Sequence, residues 1–314
     1  MKYILTIVMM MVLLVGSANA ENWWEMEESN IKQMVKNDDS ISTLDWEKGY
    51  IDVKAFGAPN EKLTQSTAHA YSMSIGTARR LAFEKLAEQV GKVRVDSDTT
   101  LENYLLKEAI LRTQVHEVIE GAFESQEPVT STFADGSWGV DVFMRLPLYG
   151  EKGIMPVVND VIKKEDASNP RTRYNASPEV IKRVQGQFGS PSDDQSAVKG
   201  PFTGLIVDAG KTGLQPSMSP KIVTSDGREI YGYGIAKSSV VINWGMADYS
   251  PSVADAVKEL EDRVGKNPLI VKGIKVNGER KTEIIVSDDD ALKIFAADMK
   301  DRFLEQCRVV FVTN

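Results

Sequence analysis

The sequence predicts an α+β protein of two domains, each an antiparallel or mixed sheet with helices packed mainly on one face. Three observations carry this. Short stretches such as 50–58 and 140–146 alternate apolar and polar residues with period 2, the mark of a half-buried strand. Longer stretches place apolar residues every three or four positions, as Ala70, Met73, Ala78, Leu81, Leu86 and Val90 do, the mark of a helix. A stretch at 151–200 with Pro156, Pro170, Pro178 and Pro191 separates two such groups and reads as a linker of limited structure holding a short helix at 178–187.

The elements follow in order. Residues 1–20 have the layout of a secretory signal peptide: Lys2, an apolar run over 3–15, and the small-residue site Ala18-Asn19-Ala20. The run is shorter than the roughly 20 residues that span a bilayer. The expectation is a mature chain starting near Glu21, free in the periplasm, with no integral membrane segment after cleavage. No Cys stands at the cleavage site, so no lipid anchor is expected. Residues 21–45, with Trp23, Trp24, Met26, Ile31, Met34 and Val35, have roughly helical spacing.

Residues 46–150 form the first expected domain. A strand over 50–58 leads to a long helix over about 62–90, whose small residues Ala68, Ala70, Ser74 and Ala78 allow close approach to a sheet. Residues 93–98 alternate again as a strand, and a second helix covers about 101–117. Two strands, 118–133 and 137–147, meet at Asp135-Gly136, a favoured hairpin turn. Residues 201–314 form the second expected domain. It has a strand at 203–208, a hairpin over Asp226-Gly227 and an apolar, buried stretch at 240–244. A helix at 253–264 follows, then a hairpin over Asn277-Gly278, a helix carrying Leu292, Phe295, Met299 and Phe303, and a strand at 308–313.

Composition narrows the function classes. The chain is 42% hydrophobic and 26% charged, with a net charge of −8. Such acidity, with no basic run, argues against nucleic acid as a partner. Cys307 is the only cysteine, so no internal disulfide can form, which for an exported chain suits a bacterial periplasm. It reads as a small buried apolar residue.

No motif declares a chemistry. The stretch 204–212 looks like a phosphate-binding loop. It has one residue too many between its glycines, and Pro216 and Pro220 follow where a helix should start. Gly232 and Gly234 are a lone Gly-x-Gly, read as a bend. His69 and His116 have no second histidine at helical spacing. Ser287, followed by Asp288, Asp289 and Asp290, reads as a helix cap rather than a cation site. Asp96 and Asp98 would share one face of a strand, where a carboxylate pair is conceivable. Trp138, Trp244, Tyr231, Tyr233 and Tyr249 could offer stacking surfaces to a glycan. The expectation is therefore no enzyme, no catalytic residues, no metal and no cofactor.

The stretch 49–57, the helix with Ala78-Arg79-Arg80-Leu81-Ala82 and Leu86, and Val93-Arg94-Val95-Asp96 together resemble the twenty-kilodalton bacterial lipoprotein (LPP) family. They also resemble the related N-terminal domain of the flagellar H-ring protein FlgT. The resemblance covers about 49–147. It implies a non-catalytic structural or assembly protein of the Gram-negative envelope, with a flagellar association among its members. Envelope or outer-membrane-associated proteins would be its partners, and an oligomer is conceivable. The alternative is a periplasmic module that binds a small ligand or cell-wall glycan.

Overall fold

Gly57 is where the first sheet meets its helix. The computed structural model describes residues 42–60, 62–168, 170–188 and 201–313. Residues 1–41, which include the expected signal peptide, and residues 61, 169, 189–200 and 314 lie outside them. Five strands form the first sheet: β1 (Ser42–Asp45), β2 (Tyr50–Gly57), β3 (Phe123–Glu124), β4 (Val129–Thr132) and β5 (Trp138–Pro147). The order is β1-β2-β5-β3, with β4 also pairing β5, and every pairing is antiparallel.

Helix α1 (Thr67–Lys92) lies on one face. Its inward stripe is Ala70, Ser74, Ala78, Ala82, Leu86 and Val90, spaced four apart so that they stack on one side of the helix. The small residues let the backbones meet. A Cβ on Gly57 would fall 2.1 Å from the Ser74 carbonyl oxygen and 2.6 Å from the Ala78 nitrogen. Ser66 caps the helix by accepting a hydrogen bond from the His69 N–H.

The structure departs from the sequence reading in several places here. Residues 42–45 are a strand, not the end of a helix. Residues 93–98 form only an isolated bridge, Arg94 to Thr100, and then bend. The second helix is two, α2 (Leu101–Lys107) and α3 (Ala109–Glu120), broken at Glu108. The long strand expected at 118–133 is β3 and β4, interrupted at 125–128.

The stretch expected as a linker carries α4 (Met155–Ser168) and α5 (Pro178–Gln187). Met155, Val158, Val161 and Ile162 of α4 are buried. They belong to one hydrophobic cluster that runs from Ile51, Val53 and Leu86 to Tyr231, Phe303 and Phe311. Ser40–Asn314 is accordingly one compact unit, with the two sheets sharing a core. Pro156 and the charged run Lys163-Lys164-Glu165-Asp166 hid the helical period of α4.

The second sheet has seven strands: β6 (Gly204–Asp208), β7 (Lys221–Val223), β8 (Glu229–Tyr231), β9 (Asp248–Ser250), β10 (Pro268–Asn277), β11 (Glu283–Val286) and β12 (Val309–Val312). Their order is β8-β7-β11-β10-β6-β12-β9. Strands β9, β12, β6 and β10 run parallel, β11 is antiparallel to β10, and β7 and β8 form a hairpin. Helices α6 (Ser238–Trp244), α7 (Val253–Glu259), α8 (Glu261–Val264) and α9 (Asp288–Asp301) complete the fold.

The fold is α+β as expected, and the second sheet is mixed, with helices against both of its faces. Ile206, Val310 and Val312 pack against Ala256 and Val264 of α7 and α8, while Leu205, Val207 and Phe311 face the main cluster with Ile294 of α9. Burial of both faces suits parallel strands, whose crossovers put helices on either side. Ser287 caps α9 by accepting from the Asp290 N–H at 3.0 Å. Phe303 lies beyond the end of α9, which stops at Arg302 in the left-handed region (φ 52°).

Candidate interaction site

The outer face of the first sheet, away from α1, has no helix over it among the described residues. Alternation along β2 and β5 puts Tyr50, Asp52, Lys54 and Phe56 there, beside Pro147, Arg145, Phe143 and Asp141. Their charges are mutually satisfied. Arg145 donates from Nε and Nη2 to the two Asp52 oxygens, both at 2.7 Å, and its guanidinium lies 3.7 Å from the Tyr50 ring centroid. Lys54 lies 3.2 Å from Asp141, which also accepts from the Ser131 hydroxyl at 2.5 Å. Phe56 reaches across β5 over Gly139, where a Cβ would fall 2.2 Å from the ring, and meets Phe133 edge to face at 5.3 Å.

What this surface has left to offer is apolar area and open backbone. Phe123, Val129 and Phe133 are each about half exposed (50%, 47% and 47%). β4 pairs with β5 alone, so among the described residues its other edge has no strand beside it. Its sequence, Val129-Thr130-Ser131-Thr132, carries no charge and no proline. Those are the devices that usually blunt an open edge.

A concavity lies between the 94–99 bend, α4 and the start of β7. It is a cleft of about 100 Å³ lined by Asp96, Asp98, Glu165, Asp166, Arg171 and Lys221, among others. The structure thus brings both sequence-singled aspartates to a cleft, but not on a strand face. One Asp96 oxygen accepts from the Asp98 and Thr99 N–H groups and the Thr99 hydroxyl, all at 2.9 Å. The Tyr104 hydroxyl, whose pKa burial pushes up to about 12, donates to the other at 3.4 Å. Asp96 therefore shapes the turn.

Behind the cleft, buried Glu283 holds Arg171 (2.5 and 3.1 Å), Ser97 (3.1 Å) and Asn277 (3.0 Å). One carboxylate ties the first sheet's bend, the 170–174 segment and the β10–β11 hairpin together. Nothing in the spacing of these residues along the chain foretold it.

The remaining sequence candidates fall as follows. Tyr231, Tyr233 and Tyr249 are core residues, exposed by 6% or less, so they offer no stacking surface; Trp244, expected to be buried, is 48% exposed. His69 sits in the first turn of α1 and His116 pairs with Glu120 at 3.3 Å. The 204–212 stretch is β6 followed by a single 3₁₀ turn at Gly210–Thr212, with Gly213 in the left-handed region. Cys307 is fully buried just before β12. Among the described residues no group of three or more His, Cys, Asp or Glu is placed to hold a metal. No helix there is long and apolar enough to cross a membrane.

Residues 204–314 are similar to a domain family described as Treponema pallidum Tp0624, second domain. The likeness spans the second sheet and its helices, about a third of the chain. No curated protein matches the chain.

Proposed function

We propose that this chain is a non-catalytic assembly protein of the Gram-negative envelope that works in the periplasm and engages a partner protein through the open edge of β4. The observation that carries the reading is the uncharged, unpaired edge beside exposed Phe123, Val129 and Phe133. An extended segment of an envelope protein added there would gain main-chain hydrogen bonds from the edge and apolar contacts from alternate side chains. The internally paired charges of the outer face leave no net field to select a charged ligand. The export signal and the LPP resemblance favour an envelope partner, the flagellar apparatus being the first to examine. A glycan-binding reading has less support, because three of its five aromatic platforms lie in the core.

The test is a chain carrying Thr130→Pro and Val129→Lys, both on the exposed edge. Site-specific crosslinking from position 131 in living cells should trap a defined envelope protein in the parent and lose it in the double variant, with the fold intact by circular dichroism. Retention of the crosslink in the variant, or none in the parent, would defeat the reading. Mass spectrometry of the protein from cells should show an N-terminus at Glu21. Met1 still attached would remove the periplasmic placement.

A further inference from the structure

Three segments are laced together where the two sheets meet. The Met218 and Ser219 N–H groups donate to the Arg94 and Val95 carbonyls (2.9 and 2.8 Å), the Arg280 N–H to the Ser97 carbonyl (2.9 Å), and the Gln215 N–H to the Lys281 carbonyl (2.8 Å). Two arginines rise from this lattice. Arg94 donates from Nε to the Pro216 carbonyl at 2.6 Å and lies 5.9 Å from the Trp46 ring centroid. Neither it nor Arg280 forms an ion pair among the described residues. The Nε of Arg280 is buried and has no hydrogen-bond acceptor.

The same segments hold two more unanswered donors. The hydroxyls of Ser217 and Thr282 have no partner among the described residues, and these residues are 2% and 0% exposed. Ser217 adjoins the Pro216 carbonyl that Arg94 grips, and Tyr249 fixes its backbone by bonding both its N–H and its carbonyl at 2.9 Å. Burial, and after it the Arg280 charge, lowers the pKa of Arg94. Buried polar groups are nearly always satisfied, and each exception calls for an explanation. Two arginines and two idle hydroxyls carried on segments bonded to one another have a common one.

We propose that Arg94 and Arg280, with the hydroxyls of Ser217 and Thr282, form a binding site for a small oxyanion, a phosphate or carboxylate group. Guanidinium forks match both geometries, and an oxyanion would cancel the repulsion and accept from the hydroxyls. The site stands independently of the β4 edge.

Thermal unfolding of the mature chain in sodium phosphate, sodium acetate and sodium chloride, at matched pH and ionic strength, tests it. Phosphate or acetate should raise the midpoint above chloride by about 2–4 °C or more, and whichever does so identifies the group recognised. Arg280→Gln should unfold in chloride at or above the parent midpoint, because its Nε bonds nothing, and should lose the rise. Arg94→Lys, which keeps the charge but not the fork, should weaken it. Equal midpoints in the three salts, a rise retained by Arg280→Gln, or a lower midpoint of that variant in chloride would overturn the assignment.

Discussion

The two sheets solve the same problem differently. The first is antiparallel and buries one face under α1, leaving Tyr50, Phe143 and Arg145 half-exposed on the other. The second sheet has four adjacent parallel strands, β10, β6, β12 and the edge strand β9, and both faces of β6 and β12 are buried. An antiparallel sheet can leave a face and an edge to the surroundings, whereas a parallel one must be covered on both sides. Among the described residues the uncovered face therefore belongs to the first sheet.

Arg263 gives the sharpest way to break that comparison. It is 5% exposed, donates to both Asp248 oxygens at 2.8 and 2.6 Å, and binds the carbonyls of Trp244, Gly245 and Cys307. Arg263→Ala leaves Asp248 and three carbonyls unanswered inside the second half. It should cost about 3–5 kcal/mol by chemical denaturation. Leu86→Ala, in the core under the first sheet, should cost about 3 kcal/mol. Because the core is continuous, each variant should still unfold in one transition, with fluorescence of Trp46 and Trp244 changing together in single-tryptophan backgrounds. Two separate transitions would divide the halves after all.

Smaller effects sharpen the contrast. Ser287→Ala, at the cap of α9, should cost about 1 kcal/mol. Phe123→Ser on the open face should cost within about 0.5 kcal/mol, while Met144→Ser on the inner face of β5 should cost several times more. A loss at Phe123 as large as at Met144 would mean that the outer face is covered.

The least effect concerns Glu305, whose carboxyl the Arg302 guanidinium, then Lys237, holds down at about 2. A depressed carboxylate pKa adds stability above its ordinary value, lost as pH falls through the folded value. The stability gap between the parent and Glu305→Gln should therefore be full above about pH 5 and close toward pH 2. A gap unchanged over that range would show that the pairing is not formed in solution.

The stripe of α1, the turns at Asp135-Gly136 and Asn277-Gly278 and the cap at Ser287 could all be read from the chain, because each depends on residues within a few positions. Residues 93–98 show where such reading stops. Their alternation looks like a strand, yet Asp96 bonds its own neighbours and Ser97 turns to Glu283, so competing local and distant bonds displace the ladder. Tyr231, Tyr233 and Tyr249 look like surface aromatics until the sheet order places them inside.

The chain by itself determined its periods, its turns and its acidity, since these follow from backbone geometry and side-chain chemistry over short distances. Only the tertiary structure decided that α4 welds the two sheets into one core, that β4 is left at an edge, and that Arg94 and Arg280 form no ion pair among the described residues. Those outcomes depend on which distant segments come into contact, and burial, which sets the cost of every unpaired group, exists only after they have.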